Sequence, residues 1–470
     1  MELERLAAQN PWWFNPQSIE DDFQLKQLKN VPLTITHPLE KELDLKGPRL
    51  YILRGPRQIG KTTLLKKIIR GLLQREINPK NIFYFAFDIG GIKDEHEVAD
   101  LVITYLDFAH KWGQSHLWLF LDEVTYTPHW SIGLKILYDQ GHLENLTLVA
   151  TGSSSLDLKR GGERLPGRRG IAPAQSDLVM LPLLFRYYVE NVWQLKELPK
   201  ISLEDTPASL FAKAQEISLY GEKLKRAWEE YIISGGYPLS IVNYRSKGLL
   251  IDDIYYTYLQ SILGDISKAG KSEAYFRELI YALVEKQFTP VDWALLAQMT
   301  TIGSHNTVAD YIETLEAFYV LKPLYQLKQL GGAQFSFRKR RKIYFIDPFI
   351  YATLSTWALG LGFSFSKIQE SLTQSQTKGK IVENVLALHL WHFSPMLSFW
   401  QNKGEIDFIC IKERRPFLYL ESKYQGKITS DNKKWLKKVG QGVIISKDCL
   451  AFDKANHIAI IPAPYFCASV

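Results

Sequence analysis

Gly55-Pro56-Arg57-Gln58-Ile59-Gly60-Lys61-Thr62, followed by Thr63, decides the fold. The stretch meets G-x-x-x-x-G-K-[ST] at every fixed position. The apolar run Leu50–Leu53 ahead of it reads as a strand. Leu64-Leu65-Lys66-Lys67-Ile68-Ile69 behind it has the spacing of an amphipathic helix. A loop between strand and helix aims free N–H groups and the positive end of the helix dipole at a phosphate chain. Residues 55–63 are therefore expected to cradle ATP. Lys61 is placed on the β- and γ-phosphates and the Thr62 hydroxyl on Mg²⁺.

Leu117-Trp118-Leu119-Phe120-Leu121-Asp122-Glu123 is the second motif. A buried parallel strand reads as a continuous apolar run, and this one ends in two acids. Asp122 is expected beside the metal and Glu123 one residue on, where it orients and deprotonates a water. A third run, Leu146–Ala150, ends in Thr151-Gly152-Ser153-Ser154-Ser155. Thr151 or Ser153 either senses the γ-phosphate at the carboxyl end of the sheet or belongs to an ordinary turn. The loop from Gly161 to Gly170 carries Arg164, Arg168 and Arg169. It is either a solvated basic loop or a cationic hand for a neighbouring subunit's γ-phosphate, with Arg168 the first choice. The second reading implies a head-to-tail homo-oligomer promoted by ATP.

At 470 residues, with 46% hydrophobic and 23% charged residues, the chain reads as globular with about three domains. A net charge of +7 permits a polyanionic partner without requiring one. Cys410, Cys449 and Cys467 are too few and scattered for a disulfide framework or a zinc site, so a reducing, cytoplasmic setting is expected. Met1-Glu2-Leu3-Glu4-Arg5 opens no apolar signal core. Residues 348–366 hold no charge over nineteen positions, the length of a membrane span. Their Pro, Ser/Thr and Gly content favours a buried helix and loop, so no membrane partner is expected.

The fold class expected is α/β: a parallel-sheet P-loop core with a helical lid, a winged helix and a small α/β terminal domain. Residues 1–48 form an arm whose Pro11-Trp12-Trp13-Phe14 reads as a docking plug for another surface. The core spans 49–199, with Asp88 expected to end a strand. Residues 200–272 read as a helical lid, broken at Ser234-Gly235-Gly236-Tyr237-Pro238. Residues 273–350 read as a winged helix: helices at 276–286, 293–299 and 307–318, then strands at 319–327 and 343–346. Its tip, Arg338-Lys339-Arg340-Arg341-Lys342, suits phosphates of duplex DNA, unless the run is only a solvated loop.

After a connector at 351–372, residues 373–470 hold a second candidate centre. Glu383 lies on a helix, Asp407 on a strand of alternating acids, and Glu421-x-Lys423 on the next strand. Oxygen donors suit Mg²⁺ or Mn²⁺. Glu383, Asp407 and Glu421 are the expected ligands, with Lys423 beside the reacting phosphate. A structural ion pair between Glu421 and Lys423 or another cation is the alternative.

The order of phosphate loop, Leu-Asp-Glu strand, Gly-Ser-Ser-Ser turn, Leu-Pro-Gly-Arg loop, Ser-Gly-Gly-Tyr-Pro, Gly264-Asp265-Ile266, winged helix and acidic terminal domain runs from 49 to 470. It resembles the prokaryotic AAA-type ATPases that carry a C-terminal domain of unknown function. Their terminal domain is similar to the restriction-endonuclease-like fold with the motif PD-(D/E)-x-K, which this chain departs from with Ile406 before Asp407. The resemblance implies ATP binding in an AAA-type core. Two functions follow from the sequence: an ATPase coupled to DNA binding and metal-dependent nucleic-acid cleavage, or a nucleotide switch whose terminal domain only binds a partner or nucleic acid.

Overall fold

The computed structural model describes residues 3–111, 116–152, 158, 177–338 and 340–470. Contacts divide the chain into two compact units, Met1–Leu181 and Pro182–Val470. The division falls at 181, not at 199: the helix Phe185–Val192 belongs with the second unit, where Arg186 donates to Leu198 O (2.9 Å) and Ala468 O (3.1 Å).

In the first unit, β1 (Arg49–Arg54), β2 (Ile82–Ala86), β3 (Leu117–Asp122), β4 (Leu146–Thr151) and β5 (Asp177–Val179) make a sheet in the order β2-β3-β4-β1-β5. Every pairing is parallel. β2, β3 and β4 are buried along their whole lengths, which explains their unbroken apolar composition. Asp88 does not end a strand. β2 stops at Ala86, and Asp88 sits in the short helix Phe87–Gly90 that follows.

The N-terminal arm folds onto β2, the edge strand. A strand edge leaves the N–H and C=O of alternate residues unpaired, here Ile82, Tyr84 and Ala86. Side chains of the arm take these positions in turn. Trp12 and Trp13 Nε1 donate to Ile82 O at 3.0 and 2.9 Å. Asn10 accepts from Tyr84 N (2.7 Å) and donates to Tyr84 O (2.9 Å), and Gln9 accepts from Ala86 N (2.8 Å). Trp13 also stacks on Phe108 at 4.7 Å and Tyr105 at 5.8 Å. The surface that Trp12 and Trp13 plug is thus the chain's own core.

The second unit holds an eight-stranded mixed sheet in the order β12-β13-β11-β10-β9-β8-β6-β7. Its strands are β6 (Leu321–Gln326), β7 (Arg341–Phe345), β8 (Ser398–Gln401), β9 (Glu405–Lys412), β10 (Arg415–Ser422), β11 (Gly442–Ser446), β12 (Ala451–Asp453) and β13 (Ile458–Pro462). The hairpin expected as a wing, β6–β7, follows helices Glu273–Lys286, Trp293–Gln298 and His305–Ala317. It is joined to the terminal sheet: β6 pairs with β8 through Tyr325–Ser398 and Gln326–Phe399. The helices expected as a lid pack in this unit too. Tyr231 in Gly221–Ser234 donates to Leu183 O (2.8 Å).

Two buried polar groups fix this packing. Gly235 has φ +63°, and a Cβ there would lie 2.1 Å from Asp347 Oδ1. Asp347 accepts from Gly236 N (2.7 Å) and Phe349 N (2.8 Å), while burial pushes its carboxyl up to about 7. The Gly-Gly break is therefore a close approach that only glycine allows. His389 donates from Nδ1 to Val385 O (2.8 Å), leaving Nε2 to accept the Phe185 N–H at 2.9 Å. Only a neutral imidazole makes both bonds, and burial holds its pKa down at about 4.

The uncharged segment at 348–366 contains the helix Pro348–Ala358, most of it buried. Among the described residues no helix is long and apolar enough to cross a membrane.

Candidate functional site

The phosphate loop leaves β1 at Gly55 and enters the helix Lys61–Gln74. Gly55 has φ +152°, and a Cβ would come within 2.3 Å of Met180 O. Gly60 has φ +99°, so glycine is needed at both ends of the loop. Lys61 is buried and its ammonium donates to Gly55 O (2.9 Å) and Pro56 O (3.0 Å). These bonds hold the cation against the loop whose N–H groups are to take the phosphates.

β4 lies between β1 and β3, so its last residue, Thr151, reaches the acids at the end of β3. The Thr151 hydroxyl donates to Asp122 Oδ1 and accepts from Glu123 N at 3.3 Å. Tyr84 OH, from β2, donates to Asp122 Oδ2 at 3.0 Å. Burial, then the Asp122 charge, keeps that phenol far above its usual pKa, so it remains a donor. Glu123 leaves the strand with φ +55°, a left-handed conformation that costs a non-glycine residue about 1–3 kcal/mol.

Thr62, Asp122 and Glu123 line one cavity of about 690 Å³, together with Lys66, Tyr84, Asp88 and the arm residues Gln9, Trp12 and Asp22. The donor set fits Mg²⁺ with a phosphate chain: one hydroxyl and one buried carboxylate face the same space beside a loop shaped by two positive-φ glycines. Lys66 is a part that the sequence reading passed over. It pairs with Asp22 of the arm at 3.2 Å and stands 3.4 Å from the centre of the Tyr84 ring. Burial lowers its pKa, against the Asp22 charge that raises it. A sequence signal existed: Lys66 is four residues beyond Thr62 and so shares its helix face. Ser153, Arg164, Arg168 and Arg169 lie outside the described residues.

In the second unit, Glu383, Asp407, Glu421 and Lys423 are brought together as expected, with two further members, Glu405 and Lys342. Lys342 is 2% exposed. Its Nζ lies 2.9 Å from Asp407 Oδ1, 3.0 Å from Glu383 Oε1 and 2.5 Å from Glu405 Oε1. Asp407 Oδ2 accepts from Ser422 N (2.9 Å) and faces Lys423 Nζ at 3.4 Å. Lys423 pairs with Glu421 Oε2 at 2.7 Å. Glu383 also accepts from Tyr344 OH (2.8 Å) and pairs with Lys380 (3.2 Å).

Burial would raise the Asp407 pKa, but Lys342 and then Lys423 outweigh it and hold the carboxyl well below the usual range. Glu421 goes the other way, up to about 8, through burial and then the Asp407 charge. The set does not fit a divalent ion, because an ammonium already stands among the carboxylates that would bind it.

The run Arg338–Lys342 is thus not a uniform basic tip. Arg338 and Arg340 are exposed, and Lys339 is outside the described residues. Arg341 is half-buried, its guanidinium 4.2 Å from the centre of the Trp293 ring. Lys342 faces inward.

Residues 47–189 match the family described as an AAA domain, and residues 225–364 match a domain of unknown function, DUF8612. The second match runs across the boundary expected between lid and winged helix. An uncharacterized protein of Methanocaldococcus jannaschii is 24% identical over 429 residues, which is 87% of this chain and 83% of that protein. Among solved structures, the Walker-type ATPase of Pyrococcus abyssi covers 73% of this chain and 95% of its own, at 14% identity and a TM-score of 0.38. The Aeropyrum pernix ORC1 protein in complex with DNA has the same coverages and identity at a TM-score of 0.29. Those scores are too low to carry function across. The phosphate loop and parallel sheet of the first unit agree with the match of residues 47–189 to an AAA domain.

Proposed function

We propose that this chain is an ATP-hydrolysing, nucleotide-dependent switch whose second unit binds a partner or DNA without cutting it. The observation that carries the reading is the convergence of Thr62, Asp122 and Glu123 on one cavity behind a complete phosphate loop. Loop N–H groups and Lys61 bind and orient the phosphates. Mg²⁺, held by Thr62 and Asp122, would neutralise charge developing on them. Glu123 accepts the proton of the attacking water. Thr151 and Tyr84 hold Asp122 from either side and exclude alternative rotamers, so they are positioning residues.

Duplex DNA is the proposed partner of the helix His305–Ala317 and of the exposed Arg338 and Arg340. ATP-promoted head-to-tail assembly belongs to the same reading, with Arg168 reaching a neighbour's nucleotide. The terminal carboxylates do not cleave nucleic acid in this reading, because the Lys342 ammonium already stands among them.

ATP turnover by the full chain with Mg²⁺ tests the proposal. Wild type should hydrolyse ATP and Lys61→Ala should lose nucleotide binding. Equal turnover by both would refute it.

A further inference from the structure

The sequence implies a divalent-metal centre at Glu383, Asp407 and Glu421; the structure fills that centre from within the chain. Lys342 contacts carboxylates on two elements, Glu383 of the helix Ser375–Phe393 and Glu405 and Asp407 of β9, and it comes from a third, β7. Two strands, β8 and β6, separate β9 from β7 in the sheet. The Lys342 side chain reaches across them, its Nζ 5.8 Å from the centre of the Phe399 ring on β8.

All four carboxylate oxygens of Asp407 and Glu383 already have partners. Asp407 Oδ1 accepts from Lys342, and Oδ2 accepts from Ser422 N. Glu383 Oε1 accepts from Lys342 and Tyr344, and Oε2 from Lys380. The separations of 3.0 and 2.9 Å from Lys342 Nζ to Glu383 and Asp407 are those of charge-assisted hydrogen bonds, and Glu405 adds an ion-pair contact. A Mg²⁺ or Mn²⁺ ion needs oxygens at about 2.0–2.2 Å. Placing one among these groups would set a dication against a buried ammonium at close range. Displacing Lys342 instead would strand it as an unpaired charge in a position only 2% exposed.

We propose that Lys342 is a built-in cation occupying the position of the divalent ion, so that the terminal carboxylate cluster binds no metal and instead locks the β6–β7 hairpin to the sheet. This goes beyond the ATPase reading and does not depend on it.

Mn²⁺ binding to the full chain, followed by electron paramagnetic resonance without nucleotide, tests it. Wild type and Asp407→Asn should bind the same number of ions. Lys342→Ala should gain one ion per chain, and the double variant Lys342→Ala/Asp407→Asn should lose it again. A wild-type ion that vanishes in Asp407→Asn overturns the proposal, as does a folded Lys342→Ala that gains none. Should either variant fold poorly, anomalous diffraction from wild-type crystals soaked in MnCl₂ decides. A peak between Glu383 and Asp407 overturns the assignment; lysine nitrogen density there without a peak supports it.

Discussion

Replacing Thr151 with valine should slow ATP turnover while sparing nucleotide affinity. Valine matches threonine in shape, and Thr151 is fully buried, so the change removes one hydroxyl with little repacking. That hydroxyl donates to Asp122 Oδ1 and accepts from Glu123 N at 3.3 Å. A hydrogen bond to a charged group is worth about 1.5–3 kcal/mol. Asp122 keeps its other donor, Tyr84 OH at 3.0 Å, so the carboxylate stays in place but gains rotational freedom. If that whole energy is lost only as the transition state forms, turnover falls about 10- to 150-fold, at about 1.4 kcal/mol per decade. The assay is steady-state phosphate release beside titration of a fluorescent ATP analogue. Thr151→Ser, which restores the hydroxyl, should recover most of the rate. Wild-type turnover in Thr151→Val would show that the hydroxyl does not position the acids. An equal loss in the serine variant would point to the missing methyl instead.

Two further outcomes concern a buried neutral histidine and two exposed arginines. His389 must be neutral to accept the Phe185 N–H, and its folded pKa of about 4 lies below the ordinary value of 6.5. The unfolded chain therefore binds the extra proton between those values. Its stabilising contribution is complete above pH 6.5 and is lost as pH falls toward 4, about 2 kcal/mol of it by pH 5. Chemical denaturation at pH 7.5 and pH 5 measures this. His389→Gln should flatten the difference, and an unchanged slope would contradict the assignment. At the hairpin, Arg338→Ala with Arg340→Ala should weaken duplex binding and reduce the salt slope by about 1.8 if each contacts one phosphate. A fluorescence-anisotropy titration at several salt concentrations reads this, and parental affinity and slope would mark both as solvated.

The candidate nucleotide site was legible in the sequence because its chemistry tolerates few residue types. Gly55 and Gly60 are fixed by positive φ, Lys61 and Thr62 by their functional groups, and Asp122-Glu123 by ending a strand too apolar to lie anywhere but the core. The terminal carboxylates were also legible as a group, since residues two apart on a strand share a face. What remained hidden was their partner. A run of five cations reads as a phosphate-contacting tip or a solvated loop because sequence pattern carries no information on tertiary neighbours. The same period of two nevertheless applied: Lys342 and Tyr344 share a face of β7, and both bind Glu383. The arm was misjudged for a related reason. Gln9, Asn10, Trp12 and Trp13 answer the unpaired backbone of Ile82, Tyr84 and Ala86, and only strand order reveals that β2 is an edge.

The most direct test of the central claim is the nucleotide recovered from Glu123→Gln after incubation with Mg²⁺ and ATP and removal of free ligand. Water activation alone should be lost, so the account predicts stoichiometric, intact ATP on the variant and ADP on wild type. Recovery of ADP from Glu123→Gln, with phosphate released at the wild-type rate, would contradict it.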